Sequence, residues 1–300
     1  MPAILRKELA DYLNSKRVLV LMLISVAIGV MALYGAYSVA KNSPAEFQFS
    51  QLFTSPAPLK VPEQLTSYLI YPNTLTYIFI PILGILLGFD AVNRERSSHT
   101  LRRLTYQPVY WDNIINAKFL AGLFIIIVAI ATSLLLILGY GIRMIGIPPS
   151  SSELIRLFFF IIDAVVYGAF WMGLAMLFST IFKRLYISLT IPVVVQVILG
   201  AYVYILPRYL SSQSMSLSLM RISPTQWFTE SIMVILVPQW RGMGLVTAPQ
   251  ETSYFMMYNP LSIGQSLTIV WPQLIGVTAI AIVCLAITYA LFMRKEVRFN

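Results

Sequence analysis

One acidic side chain stands alone inside a long apolar run: Asp163, within the stretch from Leu157 to Phe182. A bare carboxylate in a membrane helix costs about 2.5–3.5 kcal/mol on insertion scales, so something has to compensate it. Three uses stay open: lining a polar path, carrying a proton, or pairing with an arginine such as Arg143 or Arg156, although Arg156 can also snorkel outward. The rest of the chain is poor in catalytic material. His99 is the single histidine and Cys284 the single cysteine, so no metal site is expected without carboxylates or a partner chain. Cys284 lies in an apolar run and reads as a small packing residue. A Ser-His-Asp arrangement would have to use His99 with Asp90 or Asp112, which is a weak reading. There is no G-x-x-x-x-G-K phosphate loop, so this chain is not expected to bind ATP by that device or to be an enzyme by itself.

The elements that must position Asp163 follow from composition. The 300 residues are 58% hydrophobic and 11% charged with a mean hydropathy of +0.77, where a soluble domain carries about 25% charged residues. That pattern describes an all-α polytopic membrane protein and excludes disordered, collagen-like, disulfide-framed and nucleic-acid-binding classes. The net charge of +9 fits basic loops on the cytoplasmic side of a membrane.

A hydrocarbon core about 30 Å thick needs about 20 apolar helical residues. Six such runs occur: Val18 to Ala40, Tyr71 to Phe89 with Pro81 inside it, Phe119 to Ile142, Leu157 to Phe182, Leu185 to Leu206 and Leu267 to Phe292. Six spans place both termini on one side. With the termini inside, fourteen of the 21 Lys and Arg fall on inner segments, clustered at span ends, so both termini are expected to be cytoplasmic. The first run is too long for the apolar core of a signal peptide. Before it, residues 1–17 place Leu5, Leu9, Tyr12 and Leu13 on one helical arc, as in a helix lying along the inner interface.

Two outer segments exceed simple turns. Residues 41–70 hold Pro44, Pro56, Pro58 and Pro62 and are expected to be irregular. In residues 207–266, Gln226 to Val237 is helical in pattern but too short to span, so it is expected at the outer interface or across the top of the bundle. Trp227, Trp240 and Trp271 are expected near the outer headgroups. Gly84 and Gly88 form a G-x-x-x-G that allows close helix approach, within the chain or between subunits. Tyr167, Phe170 and Trp171 read as packing residues. No internal repeat is visible, which disfavours the inverted-repeat carriers.

The inner segment 90–118 is the most informative. It reads DAVNRERSSHTLRRLTYQPVYWDNIINAK, with apolar contacts set among charges and a break at Pro108, and it needs a surface to dock on, protein or anionic lipid. Glu95, Ser98-His99-Thr100-Leu101, Leu104, Pro108-Val109 and Lys118 resemble the E-x-x-(S)-G-T-L-x-x-L-L-x-x-P-V segment of ABC-2 type transporter permease subunits. Arg6-Lys7-Glu8-Leu9 resembles the same family's N-terminal signature, and the six-span topology with its basic tail Arg294-Lys295-Glu296-Val297 is similar throughout. His99 replaces the family's usual glycine, and Trp111-Asp112 replaces a common basic residue.

The resemblance implies a type V exporter-like transmembrane subunit in the cell (cytoplasmic or inner) membrane. Its segment 90–118 would be a coupling helix seated on a separate ATP-binding subunit, with Glu95 as an ionic or capping partner and Thr100, Leu101, Leu104 and Pro108 as further contacts. Two ATP-binding subunits, carrying ATP and Mg, and a second permease copy or paralogue would complete the assembly. Membrane lipid surrounds it, an extracytoplasmic partner could meet residues 207–266, no nucleic acid is involved, and no cofactor is expected in this chain. The competing readings are an ion- or proton-coupled carrier using Asp163, and a membrane-embedded lipid-modifying enzyme.

Overall fold

The computed structural model describes residues 2–27, 30, 78–94, 111–145, 149–209, 222–236 and 261–297, and among them all regular structure is helical. Helix α1 is Pro2–Leu13; α2 covers residues 16–27. They are followed by α3, Ile80–Gly88, α4, Trp111–Ile145, and α5, Ser151–Ile181. Then come α6, Leu185–Tyr209, α7, Pro224–Leu236, and α8, Ile263–Val297. Among the described residues three helices are long and apolar enough to cross a membrane, over Asn113–Tyr140, Ser151–Ile181 and Ile263–Arg294, and Leu185–Gly200 is a shorter apolar helix. The later part of the expected first span, the beginning of the second and the segment 41–70 lie outside the described residues.

Helix α5 is the centre of the bundle. It packs against α3, α4, α6, α7 and α8, and it is the most deeply buried of the long helices. Its start is set by a capping box: the Ser150 hydroxyl accepts from the Glu153 backbone N–H, and the Glu153 carboxylate accepts from the Ser150 N–H. The helix therefore begins six residues before Leu157, where the apolar run starts, and its 31 residues extend for about 46 Å. Helix α8, by contrast, turns most of its surface outward, with Trp271, Ile275 and Ile282 exposed.

The pair Gly84 and Gly88 sets the α3–α5 distance. A Cβ on Gly84 would stand 2.5 Å from the Gly168 carbonyl oxygen, and one on Gly88 would stand 2.5 Å from that of Met172. Only hydrogen fits between these backbones, so the G-x-x-x-G serves a contact inside the chain. Pro81 is accommodated in the first turn of α3, where its missing N–H leaves no helical bond unmade.

Two expectations about residues 207–266 need correction. Helix α7 neither lies at an outer interface nor crosses the top of the bundle; it runs inside, along α5 and α8. Its contacts fix the direction: Thr225 and Phe228 meet Tyr167, Ser231 meets Asp163, and Ile235 meets Arg156, so α7 is antiparallel to α5. Its first turn sits beside Tyr167, about halfway along α5. The sequence argument allowed a helix too short to span only to lie flat. Irregular or short segments at membrane depth are stable when their polar groups are satisfied by protein, and α7 buries Thr225, Gln226, Thr229, Glu230 and Ser231 in this way. Trp227 follows: its ring packs against Gly276 on α8, away from the outer headgroups, while Trp240 lies outside the described residues.

Candidate functional site

Two polar constellations stand out against the apolar bundle. The first lies where α1, α2, α3 and α4 meet. Glu8 is on the buried face of α1, and Lys118 projects from the second turn of α4 to donate to it at 2.9 Å. Lys7 adds a second contact to Glu8 at 3.2 Å. Burial by itself would push the Glu8 carboxyl up, but the Lys118 and Lys7 ammonium groups outweigh it and hold the carboxyl below its ordinary value. Arg17, at the start of α2, donates to Asp90 at 2.7 Å and lies over the Phe89 ring. The Tyr12 hydroxyl donates to the Leu87 carbonyl at 3.0 Å. Burial, with the Asp90 and Glu8 carboxylates nearby, raises the Tyr12 phenol and keeps it neutral.

The same region fixes the chain as it leaves α3. The Val92 and Asn93 N–H groups both donate to the Ser179 hydroxyl at the end of α5, and the Asn93 amide donates to Ser188 on α6. Ser188 in turn donates to the Phe89 carbonyl at 3.0 Å. Residues 90–94 are thus held by α2, α5 and α6, while Lys118 is held by α1. Glu95, Thr100, Leu101, Leu104 and Pro108, with His99, lie between these anchors and outside the described residues.

The second constellation surrounds Asp163, about 18 Å into α5 and 1% exposed. Ser231 of α7 donates to its carboxyl. One helical turn further along α5, the Tyr167 ring stacks on Phe228 at 3.9 Å between centroids, and its hydroxyl meets Thr225 at 3.3 Å. On the other side of α7 the Gln226 and Gln273 amides donate to Glu230 at 3.4 and 3.3 Å. Of the three uses open to Asp163, a pairing with Arg143 or Arg156 is not made among the described residues. Arg143 is exposed near the end of α4. Arg156 does not snorkel either: it is 6% exposed and donates to the carbonyls of Ile235 at 2.8 Å and Leu261 at 2.6 Å, and to Ser266 at 3.1 Å. Through Ile235 it binds a carbonyl in the last turn of α7, where a cation also complements the helix dipole. Asp163 is therefore a buried polar contact between α5 and α7, compensated by a hydroxyl.

Sequence reasoning missed Glu8, Lys118, Asn93 and Arg156 as structural partners. Lys118, Asn93 and Arg156 had a visible signal, a charged or amide group close to the end of an apolar run, but their partners lie 79 or more positions away along the chain.

Apolar helices of spanning length around a buried polar seam define a multi-pass membrane protein. Residues 2–297 match the family model described as ABC-2 family transporter protein, so the chain belongs to that family and is a membrane permease component of an ABC transporter. A comparison with curated proteins found no match.

Proposed function

We propose that the chain is the transmembrane subunit of an ATP-driven exporter in the cell membrane, with six spans and both termini cytoplasmic. Residues 90–118 are its contact for a separate ATP-binding subunit. The observation that supports this reading is the double anchoring of that segment. Asp90 is tied to Arg17 at one end and Lys118 to Glu8 at the other. A push on the intervening residues is delivered to α1, α2, α3 and α4 together, which a loosely tethered loop could not do.

In this reading Leu101 and Leu104 fill a groove on the ATP-binding subunit, Glu95 makes an ionic or capping contact, and Thr100 and Pro108 complete the surface. Two ATP-binding subunits, which carry ATP and Mg, and a second permease subunit assemble with this chain. Closure of the ATP-binding pair shifts the equilibrium between two arrangements of the permease pair, giving alternating access to a path between them.

The test is co-purification of the membrane complex from cells expressing both subunits. Leu101→Asp with Leu104→Asp is expected to abolish recovery of the ATP-binding subunit and its ATPase activity in the membrane fraction. Undiminished association would overturn the docking role.

A further inference from the structure

At the junction of α1, α2 and α3 a cavity of about 320 Å³ opens between charged and apolar walls. Its charged lining is Lys7, Arg17, Arg94 and Lys118 with Glu8, Asp11 and Asp90, and its apolar lining is Val18, Leu21, Leu86 and Leu87. We infer that this cavity binds the headgroup of an amine-bearing phospholipid, with the phosphate at Arg17 and the ammonium at Asp11. The assignment goes beyond the exporter reading and does not require that residues 90–118 dock an ATPase.

Position gives the first argument. The apolar lining residues belong to the start of α2 and the end of α3, where an apolar run gives way to charged residues, so the charged lining falls at the level expected for headgroups. The volume is at the lower end of ligand pockets, enough for a headgroup and not for a whole lipid. Acyl chains leaving it would run along α2, whose Leu19, Val20 and Leu23 are exposed.

Unused hydrogen-bonding capacity gives the second. A guanidinium has five N–H donors, and Arg17 uses one on Asp90 while its side chain remains 52% exposed. Its other donors are available to a phosphodiester, which guanidinium binds with two parallel bonds. Asp11 is 50% exposed, and among the described residues its ionic contact, to Lys7, is long at 3.7 Å. The remaining acceptor capacity suits an ammonium group with N–H donors.

Charge balance selects the class. Glu8 and Asp90 are engaged by Lys118 and Arg17, which leaves Asp11 as the carboxylate with capacity for a ligand cation beside the Arg17 donors, so a zwitterion finds both signs. A quaternary amine has no N–H to give Asp11 and should bind less well than a primary one.

The experiment is native mass spectrometry of the delipidated full-length protein, offered phosphatidylethanolamine, phosphatidylcholine or phosphatidylglycerol with identical acyl chains. Phosphatidylethanolamine is expected to be retained about fivefold over either competitor, the worth of one half-exposed charged contact. Asp11→Asn should erase its advantage over phosphatidylcholine, and Arg17→Gln should lower retention of both. Asp11 is a surface residue, so its variant carries the test even if Arg17→Gln does not fold. Equal retention of the three lipids, a preference for phosphatidylglycerol, or an unchanged preference in Asp11→Asn would overturn the assignment. So would displacement of the lipid by excess inorganic phosphate, which would show that a bare anion is the ligand. Recovery of the ATP-binding subunit, measured on the same preparations, reports separately on the docking role.

Discussion

The Lys118 ammonium meets the Glu8 carboxylate at 2.9 Å, joining residues 110 positions apart whose side chains are only 10% and 7% exposed. Removing one partner leaves the other buried and uncompensated. Glu8→Gln or Lys118→Met is expected to cost about 3 kcal/mol, and the double variant less than the sum of the two. Thermal unfolding of the four proteins in the same detergent measures this coupling; strict additivity would show that the pair contributes nothing.

The same pair sets an acid limit. The folded Glu8 carboxyl lies below its ordinary value, so its contribution is fully present above the unfolded value, about pH 4.3, and is lost as the pH falls through the lower folded value. The melting-temperature gap between the native protein and Glu8→Gln should be constant from neutrality to about pH 5 and close below that. A gap that widens in acid would contradict the sign.

Asp163 offers a contrast between shape and charge. Asparagine keeps an oxygen for the Ser231 hydroxyl, so Asp163→Asn should fold and retain its partners, whereas Asp163→Leu removes the bond between α5 and α7, leaves that hydroxyl only the Phe228 carbonyl, and should cost about 0.5–1.5 kcal/mol. Transport by the complex then separates two roles. Loss of transport in the well-folded Asn variant would place the carboxyl on the path, and full transport would leave it a packing contact.

Arg156 presents a planar fork to acceptors on three residues. Lysine cannot reproduce that geometry, so Arg156→Lys should fail to restore what Arg156→Gln loses. The expected readout is exposure of α7: a cysteine placed at Thr229, 3% exposed in the native fold, should become reactive to a water-soluble maleimide in both variants. Continued protection would show that α7 is held without the pin.

Gly88→Ala drives a methyl group against the Met172 carbonyl, where the backbone cannot yield, and should cost about 1–3 kcal/mol. Gly139→Ala meets nothing within 4 Å and should be tolerated. Comparable melting temperatures for the two variants would refute the close α3–α5 contact.

Much of the scaffold is legible in the sequence because the membrane enforces it. The apolar runs of α4, α5, α6 and α8 reveal themselves by length, and Gly84-x-x-x-Gly88 by spacing. Hydropathy places the start of α5 at Leu157, later than the Ser150–Glu153 capping box that sets it. The site was less legible. Asp163 could be recognised as a buried cost, but its partner Ser231 lies 68 positions away and a serine carries no sign of what it will bond. Arg156 was misread because snorkelling and carbonyl binding look alike until the acceptors are in place. Helix α7 was found as a helix and misplaced because its length says that it cannot cross, not that it stays outside.

The grip on α5 has a mechanical consequence. It is held through close backbone approach to α3, a stacked ring and a buried carboxyl to α7, and further packing to α4, α6 and α8. A rod fastened on so many sides is a poor hinge, and its joints have too little slack for sliding. Bending or sliding α5 against these neighbours would break several buried contacts at once, so the helix and its close partners form one stiff unit.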